Sequence, residues 1–281
     1  MGRGPVSKSW KVFTYTVLIA YAIFCTTPLL WVFGTSLKSK AEASGFPPTF
    51  IPHSLHFENY VIPFQSRSFG PHPFLNSLMY ALGSVFITLL ITTLSGFAFS
   101  RFRFKGRQLW FLLILFLDMM PGVAKLVPLY VLYVRSGLFD TRLGITLIFG
   151  VTLIPLGTWI MKGYFDRIPR ELEECALIDG TSRLGSLRWV TLPLAAPGLG
   201  ALAVIAFMDA WNHFTYPLIL LSSHELLPYT VAIYGFVGDY GRVEWHVISA
   251  VSVISVLPLV ALFVVFQRTL VSGLTGGALK G

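Results

Sequence analysis

Apolar residues in this chain come in runs of twenty or more, with few of the regular polar interruptions of a helix that keeps one face in water. A bilayer core of about 30 Å needs roughly 20 apolar residues per helix. Six stretches meet that need: residues 12–34, 74–100, about 108–134, 143–161, about 194–221 and 247–267. The second contains no charge at all, and the fifth contains Asp209. The third carries Asp118, Pro121, Gly122 and Lys125, which predicts a kink or an unwound turn satisfied by neighbouring helices. The predicted fold is all-α, a polytopic membrane protein of six transmembrane helices. Residues 1–11 precede the first span, 12–161 hold helices one to four, 193–268 hold helices five and six with a loop at 222–246 between them, and 269–281 form a tail.

Residues 162–192 break this pattern. The stretch EECALIDGTSRLGSLRWVTLPLAAP, at 173–197, brings acids, a basic pair, an Asp-Gly turn and a Leu-Pro step between two apolar runs. Pro169 suits the first turn of a helix, where its missing N–H costs nothing. Glu171, Glu173 and Glu174 follow, well placed at a positive helix N-terminus. Leu172, Cys175 and Ala176 share one face, and Gly180 stands where a left-handed residue ends a helix. A second short helix is predicted with Leu184, Leu187 and Val190 on one side, ended by Pro193. Two readings fit a polar helical hairpin here: an amphipathic element lying on its own bundle, or a rigid docking element whose carboxylates pair with a partner's arginines.

Composition narrows the class. The chain is 54% hydrophobic and 12% charged, where a soluble domain carries about 25% charge, and its mean hydropathy is +0.70. With the N-terminus inside, the inner segments hold Arg3, Lys8 and Lys11; Arg101, Arg103, Lys105 and Arg107; Lys162, Arg167, Arg170, Arg183 and Arg188; and Arg268 and Lys280. That is 14 of the 21 basic residues, against 6 outside and Lys125 within a span. The asymmetry predicts both termini in the cytoplasm and the hairpin there too. It also explains the net charge of +8 through anionic lipid rather than nucleic acid. The start resembles a charged signal-peptide region, but the apolar run after it is too long and lacks a small-residue cleavage site, so an uncleaved first helix is expected. Cys25 and Cys175 suggest neither a disulfide nor a metal site. The six histidines show no ligand spacing, and no phosphate-binding G-x-x-x-x-G-K-[ST] occurs. No metal, no cofactor and no catalytic residue is expected in this chain.

Asp209, Trp211 and Asn212 lie toward the outer half of the fifth span. A carboxylate in lipid is costly, so Asp209 faces either a cavity on a substrate pathway or a neighbouring helix. Trp211 suits the same pathway or the aromatic belt. Asp118 and Lys125 stand two helical turns apart, too far to pair along a straight helix, which leaves a pathway role or pairing with another chain. The 222–246 loop carries Tyr229, Tyr234, Phe236, Tyr240 and Trp245 among glycines, as suits a loop folded over the bundle or one reaching a partner.

At Glu174-Cys175-Ala176-x-x-Asp179-Gly180-Thr181, followed by Leu192-Pro193 and Pro197, the chain resembles the EAA loop of ABC importer permeases. The family form is E-A-A-x-x-D-G-A with a later L-P; here Cys175 and Thr181 replace alanines, both by small residues. DAWNHFTYPLIL at 209–220 and GLFDTRLGITL at 137–147 are similar to segments of carbohydrate permeases. GLTGGALKG at 273–281 resembles the Gly-rich tail of the six-helix second permease of maltose-type importers. The resemblance implies a non-catalytic pore subunit in a bacterial or archaeal inner membrane. Its implied partners are a second permease, two ATPase subunits that bind ATP and Mg, an extracytoplasmic binding protein, a sugar and membrane lipid. It implies that Glu174, Cys175, Ala176, Asp179, Gly180 and Thr181 couple to the ATPase. Tyr234, Phe236 and Tyr240 would meet the binding protein, and Gly276, Gly277 and Lys280 would reach between ATPase subunits. The alternative is a self-sufficient secondary transporter of a small polar solute, a class that often shows inverted repeats and midplane ion sites. Neither a strong repeat nor a convincing set of paired intramembrane acids is visible.

Overall fold

The computed structural model describes residues 8–66, 69–237 and 243–275. Among them there is no strand, only an isolated antiparallel bridge between Val237 and Val243. The main helices are α1 (Lys8–Ser36), α2 (His72–Arg101), α3 (Arg107–Asp118), α4 (Gly122–Arg135), α5 (Arg142–Thr152), α6 (Ile154–Asp166) and α7 (Arg170–Ile178). They continue with α8 (Arg183–Leu194), α9 (Ala196–Asn212), α10 (Thr215–Leu220) and α11 (Trp245–Thr275). α1, α2 and α11 are each long and apolar enough to cross a membrane, and three bent pairs bring the number to six.

The breaks have local causes. α3 and α4 meet at 96° where Pro121 and Gly122 interrupt the third apolar run, as the pattern predicts. α5 and α6 meet at 47° at Leu153, a break the hydropathy of 143–161 does not foretell. Its cause is Pro155 in the first turn of α6, which cannot continue a helix from behind. α8 and α9 meet at 79° around Ala195. Pro193 does not end the second hairpin helix, contrary to the sequence expectation. A π-helical turn over Leu187–Thr191 widens the ladder just before it, and the helix continues to Leu194.

The chain forms two compact units, residues 1–70 with 233–257, and 71–232 with 258–281. The first contains α1 and the segment after it. There the Lys38 amine is buried, donates to the Thr49 carbonyl and lies 4.5 Å from the Trp31 ring centroid. Asn59 donates to the carbonyls of Ser36 and Lys38 at 2.9 and 2.8 Å. Glu42 accepts from the Thr49 hydroxyl at 2.8 Å and contacts His53 at 2.8 Å; these bonds, Thr49's first, hold its carboxyl below the usual range.

In the second unit α2 is the central post, packed along α5, α6 and α9. With no hydrophobic drive between helices in lipid, close backbone approach and hydroxyl bonds must hold them. A Cβ at Gly96 would stand 2.8 Å from Met161 Cβ and 3.0 Å from the Lys162 nitrogen, so only glycine allows this crossing. Thr88 donates to the Gly150 carbonyl at 2.9 Å, and the Ser95 and Thr158 hydroxyls meet at 2.7 Å. At the hairpin end Phe97, Met161, Phe165, Leu187, Ala195 and Leu202 form a buried cluster joining α2, α6, α8 and α9.

Candidate functional site

The polar hairpin is built as its residues dictate. Pro169 caps α7 rather than entering its first turn, and Glu171 and Glu173 occupy that turn. Gly180 takes φ +90°, the left-handed conformation required of it. The Thr181 N–H bonds to the Ala176 carbonyl and the Gly180 N–H to that of Leu177, at 3.1 Å each, the paired bonds of a Schellman turn. Thr181 has more than small size to offer: its hydroxyl also donates to Ala176 O at 2.6 Å. Ser182 caps α8 by accepting from the Gly185 N–H at 3.1 Å.

The two neighbouring glutamates part company. Glu174 is exposed at a cavity of about 170 Å³ lined also by Phe102, Arg170, Leu177 and Arg183, with no ion pair within the described residues. Glu173 is 9% exposed and meets Arg101, Nε to Oε1, at 2.7 Å. Thr191 donates to the same oxygen at 3.0 Å. Arg101 also donates to Ser100 Oγ at 3.1 Å and the Ile168 carbonyl at 2.9 Å, while Arg170 donates to the Ser100 carbonyl at 3.0 Å. Sequence reasoning missed this group, having counted Arg101 only toward inner charge. Leu172 and Cys175, on the face they share with Ala176, are exposed, as are Leu177 and Leu184. Ile178 and Trp189 are 84% and 69% exposed. A polar hairpin thus shows an apolar outer surface.

The residues assigned to a pathway divide as well. Asp118 and Lys125 line a cleft of about 390 Å³ with Leu117, Thr152, Pro155 and Tyr216. Lys125 folds back across the bend and donates to the Leu117 carbonyl at 2.9 Å, capping the end of α3. Asp209 lies within electrostatic reach of His213 and Asp118, and its Oδ2 is buried without a hydrogen-bond partner among the described residues. The His213 ring stacks on Tyr216 at 4.5 Å. Trp211, by contrast, is 2% exposed, between Phe207 at 5.5 Å and Tyr229 at 5.2 Å. Its ring packs between α9 and the turn at 229–232. Asn212 donates to the Met208 carbonyl and accepts from the Tyr229 hydroxyl at 3.3 Å.

In the 222–246 loop, Tyr234 is well exposed, whereas Phe236 is buried against Phe69 at 5.7 Å. Tyr240, Gly276, Gly277 and Lys280 lie outside the described residues. Among the described residues no group of acids, His or Cys is placed to hold a metal ion.

Hairpin, broken spans and central post together define a membrane transport component. The chain belongs to the family of binding-protein-dependent transport system inner membrane components, whose model matches residues 88–276. It is 36% identical over 275 residues to the sulfoquinovosyl glycerol transport system permease protein SmoH of Agrobacterium fabrum, covering 98% of this chain and 94% of that one. It is 34% identical to the trehalose/maltose transport system permease protein MalG of Thermococcus litoralis, over 94% of each. A solved bacterial ABC transporter involved in the import of the acidic polysaccharide alginate has a chain of the same fold, with a TM-score of 0.82 and 24% identity, covering 95% of this chain and 99% of that one.

Proposed function

We propose that this chain is a pore-forming subunit of an ATP-driven importer for a sugar or oligosaccharide that an extracytoplasmic binding protein delivers. A second permease completes the pore, and two separate ATPase subunits bind ATP and Mg. The substrate class is supported by the names of the relatives, which carry sulfoquinovosyl glycerol and trehalose or maltose. The observation that carries the docking role is the exposed apolar surface of the hairpin, with the carboxylate of Glu174, in no ion pair among the described residues, beside it. Ile178, Leu184 and Trp189 would seat in a cytoplasmic partner, and Glu174 would meet a basic side chain there. The subunit itself does no chemistry. It alternates access as the hairpin follows the ATPase, and the cleft with Asp118 and Lys125 is the stretch of its pathway with hydrogen-bonding capacity.

The test is assembly and transport. The ATPase and a second permease should co-purify with the chain. Glu174→Arg and Gly180→Val should insert normally and fail in transport. The first leaves a partner's cation facing another, where breaking such a pair costs about 2–5 kcal/mol; the second forbids the left-handed turn. An Arg→Glu change in the ATPase should rescue Glu174→Arg. Wild-type transport and ATPase retention in both single variants would reduce the hairpin to a surface element.

A further inference from the structure

Both arms of the hairpin meet at Glu173, which the last residue of α2 holds. One guanidinium, that of Arg101, bonds three segments: its own turn at Ser100, the connection at Ile168 and α7 at Glu173. The Glu173 oxygen that it meets also accepts from Thr191, on α8. Covalently, the hairpin joins the bundle only at corners, the turn at 167–169 and the 79° bend at Ala195. We propose that the buried Arg101–Glu173 pair is the mechanical joint that makes α2 follow the hairpin, so that Arg101 and Glu173 are positioning residues for coupling. This rests on the hairpin being the site where an ATPase docks.

The energetics of burial support that role. A buried ion pair contributes little net stability, and apolar side chains of the same volume often do as well or better. What the pair supplies is direction. Apolar surfaces let helices slide, whereas a planar guanidinium fixes the angles of its bonds. The direction is then passed on. α2 is keyed to α6 at Gly96 and to α5 by the Thr88 bond at Gly150. Ile148, Val151 and Thr152 of α5 and Ile154 and Pro155 of α6 line the cleft that holds Asp118 and Lys125. A displacement of the hairpin therefore reaches the cleft through α2. The adjacent glutamates have complementary roles, Glu174 facing outward to receive the motion and Glu173 facing inward to deliver it.

The experiment uses the complete importer in proteoliposomes and reads sugar transported per ATP hydrolysed. The informative variant replaces the pair by apolar residues, Arg101→Met with Glu173→Leu. It should assemble, melt at or above the wild-type temperature and keep ATP hydrolysis stimulated by loaded binding protein, while transport per ATP falls about five-fold or more, the lower range of coupling between sites. A ratio within about two-fold of wild type would overturn the joint. Should that variant fail to assemble, Glu173→Gln is read by the same ratio. Failure of the ATPase to co-purify with the wild-type chain would sink the docking reading and the joint with it. Co-purification with an unchanged ratio would sink the joint alone.

Discussion

Asp140 shows how a single residue can tie down a loop in this chain. It adopts φ +55°, a conformation that few residues besides glycine enter and that Asp tolerates better than most. Its N–H donates to the Leu220 carbonyl at 2.9 Å. Its carboxylate accepts from the N–H groups of Ser222 and Ser223 at 2.9 and 3.0 Å and from the Ser223 hydroxyl at 2.5 Å. These bonds, the Ser223 hydroxyl's first, hold the carboxyl below its ordinary range. A carboxyl with a folded pKa below the unfolded value of about 3.9 contributes fully above that value and loses its contribution as pH falls through the folded one. Amide exchange at Ser222 and Ser223 should therefore stay protected from neutral pH down to about pH 4 and lose protection below it. Asp140→Ala should remove the protection and the acid step together. Equal protection in Asp140→Ala and wild type would show that the latch lies elsewhere.

Among the elements, α2 sets how closely the others can approach. Gly96→Val would drive a branched side chain into Met161 and the backbone at Lys162, an overpacking that costs about 1–3 kcal/mol. Gly163→Ala, where an added Cβ meets nothing within 4 Å, should be neutral or mildly stabilising. Thermal unfolding of the two in detergent checks the contrast, and equal melting would refute the close crossing. The spans and the hairpin were legible in the sequence because charge and long apolar runs announce them directly. The 96° break was legible from Pro121 and Gly122, and the Gly180 turn from its Asp-Gly step. The inward residues were not. In lipid an apolar side chain looks the same whether it faces a neighbour or a tail, so Trp211 and Phe236 gave no sign of being packing residues. Glu173 and Glu174 are adjacent and chemically identical; which one turns inward depends on the face of α7 that meets Arg101, a contact 72 residues away along the chain.

At the scale of the whole molecule, orientation remains the property that hydropathy cannot set and charge can. Fourteen basic residues in the expected inner segments against six in the outer ones predict that the end of α2, the hairpin and both termini share the cytoplasmic side. The segment after α1, with His53, Ser54 and Glu58 exposed, is then extracytoplasmic. The natural thiols allow a clean background: Cys25 and Cys175 are both free and exposed, so both are first replaced by Ser. Ser9→Cys and Ser54→Cys are exposed positions on the two sides, and neither changes the charge that directs insertion. In intact spheroplasts an impermeant thiol reagent should label Ser54→Cys and spare Ser9→Cys; after permeabilisation it should label both. The reverse pattern would put the hairpin outside, away from any source of ATP, and the importer reading would fall with the topology.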